Sequence, residues 1–359
     1  MAYLSLSTAN LPDPPIDPAQ GQEASDHFDP VLYTGTGSTT EISSLSFQPD
    51  WLWFKRRSGA DNHTNWDSVR GANKVLKPNE SGAEGTDTTQ LSSFDNDGFT
   101  LLSGGDVNQS GVTFVAWCWK MGGTAVSNSN GSITSSVSAN TTAGMSVVSY
   151  SGNGSAGATI GHGLSAKPEM FWIKNRDRSA QWSVYHKALG ATKFVELSTT
   201  AAAASDTPTF NDTEPTSTVF SVGTGNGANA SGENLIAYCF HSVDGFSSIG
   251  SFEGNGDTGS GGPFIYTGFR PAWVIIKPAD ESRDWRIYDN KRDVDNRAEN
   301  PLQANTNVAE ADESSTGGID LLSNGFKVRT DNAVIFNSNG NTMIYMAFAE
   351  QPLKFSNAR

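Results

Sequence analysis

The stretch PDWLWFKRR at residues 49–57 returns as PEMFWIKNR at 168–176 and as PAWVIIKPA at 271–279. A chain that writes one bulky apolar phrase three times must give three segments comparable surroundings, which restricts it to a repeat architecture. Further landmarks fall into the same order around each copy. Upstream stand YTGTG (33–37), YSGNG (150–154) and FEGNG (252–256), and downstream stand Trp66, Trp182 and Trp285. Each copy then runs through DGFTLL, TVFSVG or NGFKVR and closes with TFVAWCWK (113–120), NLIAYCFH (234–241) or TMIYMAFA (342–349).

The first landmarks begin at residues 33, 150 and 252, a spacing of domain size rather than of a solenoid turn. The expected organisation is an extended N-terminal segment over 1–27 and a first repeat over 28–122. A Ser/Asn/Thr-rich connector over 123–145 leads to a second repeat over 146–242 and a third over 247–359. Each repeat is expected to carry its own core.

Within each repeat the apolar runs are four to eight residues long, rich in Phe, Trp, Tyr, Val and Ile, and punctuated by Gly, Asn, Asp and Pro. That pattern predicts an all-β protein of three tandem antiparallel β-sandwiches. PDWLWFKRR reads as a central strand: Trp51, Trp53 and Lys55 alternate with Leu52 and Phe54, so both faces are bulky. Such a strand suits a place between two layers or against a neighbouring repeat. The alternation from Ile133 to Val137 lets the connector pair as an edge strand.

The formal net charge of −14 opposes attraction to nucleic acid or to an anionic membrane surface. No run of about eighteen apolar residues is present for a membrane span, and the N-terminus lacks the basic and apolar regions of a signal peptide. Two cysteines are too few for a disulfide scaffold. Cys118 and Cys239 fall at one position of two different repeats, so they read as buried free thiols.

Several motifs resemble chemistry and are better read as structure. GxGxxG occurs at Gly152, Gly154 and Gly157 and at Gly254, Gly256 and Gly259, with no helix after either copy to face a pyrophosphate. These are turn glycines. DNDGF (95–99) has the opening of a calcium loop without its closing glutamate, and reads as a tight hairpin. The histidines at 27, 63, 162, 186 and 241 have no zinc-ligand spacing, although His162 and His186 are placed to approach each other. Glu310 and Asp312 begin a glycanase-like pattern that Ser314 breaks. Cations cluster after the central strands at Lys55, Arg56 and Arg57, at Lys174, Arg176 and Arg178, and at Arg283 and Arg286; an ion-paired rim or a contact surface explains them. No catalytic, cofactor-binding or metal residue is nominated, the binding residues are left unassigned, and the chain is read as not an enzyme.

The strings GSITSSVSANTTAGMSVVSYSGNG (131–154), HGLSAKPEMFWIKNR (162–176) and WSVYHKALG (182–190) resemble a repeated β-sandwich domain in structural proteins of marine tailed bacteriophages. DWLWFKRR, FDNDGFTLL and IYMAFAEQPLKFSNAR resemble the same family. The resemblance implies a concanavalin-like or laminin-G-like jelly roll and a virion location after assembly in the host cytoplasm. It implies a tail fibre or tail-tip protein that attaches to a host-surface glycan, with a head fibre or capsid decoration protein as the alternative and a polysaccharide depolymerase as a weaker one. The expected partners are other virion proteins, reached through residues 1–27, and a host glycan bound by Trp and Arg at strand ends. By analogy with fibre proteins, a homo-oligomer such as a trimer is expected.

Overall fold

The computed structural model describes residues 14–17, 20–330, 332 and 335–350. Over these residues the fold is all-β. Helix is confined to single turns at Ala24–Asp26, Gly105–Asn108, Thr207–Phe210 and Asn226–Asn229.

One antiparallel strand order recurs three times. In the first repeat Phe28–Thr34, Thr113–Trp119, Trp51–Arg56 and Thr64–Asp67 lie side by side. In the second the order is Met145–Ser151, Asn234–Phe240, Met170–Asn175 and Ser183–His186. In the third it is Ser247–Glu253, Thr342–Ala349, Pro271–Pro278 and Arg286–Asp289. The closing strand of each repeat thus lies between its first strand and its central one, a non-local pairing that ties the repeat's two ends together.

Register corrects one landmark. Trp66 pairs with Leu52 as Tyr185 pairs with Phe171 and Tyr288 with Val274. One step beyond Thr64, Ser183 and Arg286 stand His63, Trp182 and Trp285. The counterpart of Trp182 and Trp285 is therefore His63, not Trp66. Matching residue type across repeats had hidden a two-position alternation.

In the first two repeats the two faces of the central strand serve different cores, whereas in the third Val274 and Ile276 belong to the same cluster as Trp273 and Ile275. Leu52 and Phe54 pack with Phe99 and Leu101 of a smaller three-stranded sheet, and Phe171 and Ile173 pack with Phe220 and Val222. The opposite faces carry Trp51 and Trp53, Met170 and Trp172, and Trp273 and Ile275, and all six belong to one cluster. Trp51 stacks on Tyr238 with ring centroids 4.7 Å apart, Trp119 meets Trp273 edge-on at 5.7 Å, and Phe240 meets Phe348 at 6.3 Å. Every pair of repeats is thereby joined by aromatic contact. The first and second repeats do have a core of their own, as expected, but a further core is shared by all three, because both faces of each central strand are apolar and the second face finds burial on the neighbours.

Cys118 packs in the first repeat's outer core and Cys239 in the second's, and both are free thiols. The connector adds two strands, Val126–Asn128 and Ser135–Asn140, to the second repeat's sheet beside Met145–Ser151. Of the segment expected to extend over 1–27, residues 1–13, 18 and 19 lie outside the described residues. In the remainder, Ile16 and Ala24 are fully buried in the shared core.

Candidate functional site

The chemistry-bearing side chains converge where the repeats meet. On each central strand the residue two beyond the last axial aromatic or aliphatic is a lysine: Lys55, Lys174 or Lys277, all fully buried. Lys174 Nζ donates to the carbonyls of Asn175 (2.7 Å), Arg178 (3.4 Å) and Ser81 (3.2 Å). Lys277 Nζ donates to Pro278, Glu281 and Thr200, and Lys55 Nζ to Arg56, Gly59 and Asn307. Two acceptors always come from the lysine's own repeat and the third from another. Burial pushes all three amines down to about 8. Each therefore remains an ammonium at neutral pH, with three N–H groups for three carbonyl oxygens.

The order of these contacts is cyclic: the second repeat reaches the first, the third reaches the second, and the first reaches the third. Three further bonds follow it. Trp182 Nε1 donates to the Lys77 carbonyl and Trp285 Nε1 to that of Glu196, while His63 Nε2 lies 3.1 Å from that of Gln303. The backbone amides of Glu84, Ala203 and Glu310 donate to the carbonyls of Arg176, Ala279 and Arg57. Each seam thus uses a segment with one spacing, whose first two members accept and whose third donates: Lys77, Ser81, Glu84; Glu196, Thr200, Ala203; Gln303, Asn307, Glu310. The chain carries out with three divergent segments what a cyclic trimer does with three copies.

The seams differ in charge. Arg57 grips Glu310 through two bonds of 2.7 and 2.8 Å, and Arg292 approaches the same carboxylate at 3.3 Å. Arg176 grips Glu84 through bonds of 2.7 and 2.9 Å, with Arg70 at 3.3 Å. Despite burial, the two arginines hold the Glu310 carboxyl below its ordinary range. At the third seam the corresponding residues are Ala279, Ala203 and Leu189, and the latter two pack against the shared core.

The cation clusters therefore resolve into carbonyl cages at Lys55 and Lys174 and ion pairs at the arginines, where Arg56 with Asp61, Arg178 with Glu233, Arg286 with Glu313 and Arg283 with Glu281 complete the set. Lys277 was missed in sequence, although lysine is the only cation common to all three phrases. Glu310 belongs to a seam ion pair, and Asp312 accepts the Ser314 amide in an exposed turn.

The glycine motifs are clamped turns. Gly37, Gly154 and Gly256 have φ near +70° and donate their amides to the carbonyls of Asn108, Asn229 and Asn337. Those three asparagines are fully buried, and each side-chain Oδ1 accepts the amide of the residue between the glycines, Thr36, Asn153 or Asn255. The amides that a phosphate would need are already engaged. DNDGF turns the strands Leu91–Asp95 and Gly98–Leu101, where a Cβ on Gly98 would lie 1.7 Å from the Ile42 carbonyl oxygen. Among the described residues no group of three or more His, Cys, Asp or Glu is placed to hold a metal ion.

His162 and His186 have different partners: His162 faces the Thr216 carbonyl, and His186 faces the Tyr345 carbonyl. Burial drives both down to about 4. The tryptophans proposed to stack on sugars are not at the surface. All nine are at most 1 % exposed: eight lie in the core shared by the repeats and Trp66 in the first repeat's outer core.

Fold and seams together define an all-β protein whose three sequence repeats meet in cyclic order around one shared core. Residues 23–352 match one model of a domain family of unknown function, DUF7483, and the chain belongs to that family. No curated protein and no solved structure matches the chain.

Proposed function

We propose that this protein is a structural component of a tailed-bacteriophage virion, in which three tandem β-sandwich domains are fused around one axis into a rigid, single-chain counterpart of a trimer. The observation that carries this reading is the cyclic set of seam bonds. Three cages of backbone carbonyls, each closed by a buried lysine, fix the repeats relative to one another and leave no hinge between them. A block of that kind suits a projecting or decorating role on a particle, with the segment preceding the first sandwich as its attachment. A head fibre or capsid decoration fits better than a tail fibre that reads glycans through tryptophan, since no tryptophan is available to a sugar. Its internal pseudo-threefold symmetry also replaces the homotrimer that a fibre otherwise needs.

The test is to localise the protein in purified virions by antibody labelling and cryo-electron microscopy, and to repeat the labelling with a phage lacking residues 1–27 of this chain. Labelled particles that lose the label on truncation support the reading. Particles without label, or full incorporation of the truncated chain, overturn it.

A further inference from the structure

Where the first and third repeats meet, a cavity of about 500 Å³ opens beside Phe28, Asp29, Arg270, Ala272, Asn290 and Lys291. Comparison among the repeats shows why it is there. Asp50 precedes Trp51 and accepts bonds from Ser68 Oγ (3.0 Å) and the Gly123 amide (3.0 Å). Glu169 precedes Met170 and accepts bonds from Lys187 Nζ (2.8 Å) and the Ser242 amide (3.0 Å). The third repeat has Ala272 at this position and Asn290 opposite, with the same backbone bond joining them as joins Ser68 to Asp50 and Lys187 to Glu169. A carboxylate present in two repeats is thus deleted in the third. The side chain that would have met it, Asn290, is only 8 % exposed, and its buried Oδ1 accepts no hydrogen bond.

We infer that this cavity is a binding site for a neutral polyhydroxyl ligand, a mono- or disaccharide. Its volume is that of a small-molecule pocket. An apolar ligand would leave the Asn290 carboxamide buried and unmatched, at a cost that apolar contact with Phe28 and Ala272 does not offset. A charged ligand meets no net charge to pair with, since the flanking charges cancel in two ion pairs, Arg270 with Glu350 at 2.8 Å and Lys291 with Asp29 at 3.4 Å. Hydroxyl groups donate to Asn290, Asp29 and Glu350 and accept from Arg270 and Lys291 without displacing either pair. The carboxamide turns freely enough about its last torsion to offer oxygen or nitrogen.

The site does not depend on a virion role, and its test uses the isolated full chain. The protein is titrated with glucose, N-acetylglucosamine and lactose, followed by saturation-transfer NMR and calorimetry, with acetate as a charged comparison. Saturable binding of at least one sugar is expected, with Kd on the order of 1 mM. Asn290→Ala is expected to weaken it about tenfold, and Ala272→Asp, which restores the carboxylate of the other repeats, to abolish it with an unchanged melting temperature. Should Ala272→Asp fail to fold, Asn290→Ala decides alone, because it deletes a group without a partner. Absence of saturable sugar binding, acetate binding in its place, or equal sugar affinity in wild type and Asn290→Ala overturns the assignment.

Discussion

The ammonium of Lys174 donates to the carbonyl oxygen of Ser81, 3.2 Å away and 93 positions earlier in the chain. A buried cation is normally costly, and here its cost is offset by three acceptors, one of which exists only if the first and second repeats are docked. Lys174→Met keeps the aliphatic stem and deletes the donor, leaving three carbonyls without that partner. It should lower stability by about 3 kcal/mol, read as a drop in the denaturant midpoint. A change of less than about 0.5 kcal/mol, the size of an ordinary surface substitution, would mean that the cage does not hold the seam.

The ionic seams and the apolar seam make a comparison that the molecule has already set up. Glu310→Ala strands Arg57 and takes one of two carboxylates from the fully buried Arg292, which keeps Asp289 at 2.6 Å, and should destabilise by about 2 kcal/mol. Replacing four residues together, Arg57→Ala, Glu310→Ala, Arg292→Leu and Asp289→His, reproduces the Ala279, Ala203, Leu189 and His186 of the third seam without leaving the buried Asp289 carboxylate unpaired, and should recover most of that loss. Chemical denaturation of the two variants beside wild type checks both statements. A quadruple variant weaker than the single one would show that the charges, not the packing, secure the seam.

What could be read in the sequence was what side chains announce. Alternation in WLWFKR and MFWIKN gave strands with two bulky faces, and the glycine motifs gave turns. The seams were not legible, because their acceptors are main-chain carbonyls at Ser81, Thr200 and Asn307, positions at which the side chain is not what the lysine meets. Nor were the Asn108, Asn229 and Asn337 clamps, since each sits 72 to 82 positions from the turn it closes. The cavity at Asn290 came from a missing residue, Ala272 for a carboxylate, which only the aligned register makes visible.

Burial of uncharged histidine sets an acid limit. His162 and His186 are driven down to about 4, and His63 also falls well below its usual value, in each case chiefly because burial disfavours the imidazolium. In the unfolded chain these groups take up protons near pH 6.5. Between pH 6.5 and 4 the unfolded state therefore binds more protons, and stability falls as pH falls through that window. Each of His162 and His186 contributes up to about 3 kcal/mol of that loss. His186→Gln should flatten the dependence of the unfolding midpoint between pH 7 and 4.5. An unchanged slope would assign the acid sensitivity to carboxylates instead.

Because Trp172 meets Trp51 at 5.7 Å and Trp53 at 5.7 Å, the second repeat's central strand completes the first repeat's buried face. A core shared in this way has no surface along which one repeat can melt while the others stay folded, as the exposed Trp51, Trp53, Trp117 and Trp119 would forfeit their apolar burial. The full chain should unfold in one calorimetric transition with equal calorimetric and van't Hoff enthalpies, despite a length at which separate domains usually melt separately. Trp172→Ala should cost about 4 kcal/mol and move that whole transition down, without splitting it. Residues 28–122 expressed alone should lack the sharp near-ultraviolet dichroism that packed tryptophan gives, and should bind a hydrophobic dye. A stable, cooperatively melting fragment, or three resolved transitions in the full chain, would show that the repeats are independent bodies in contact.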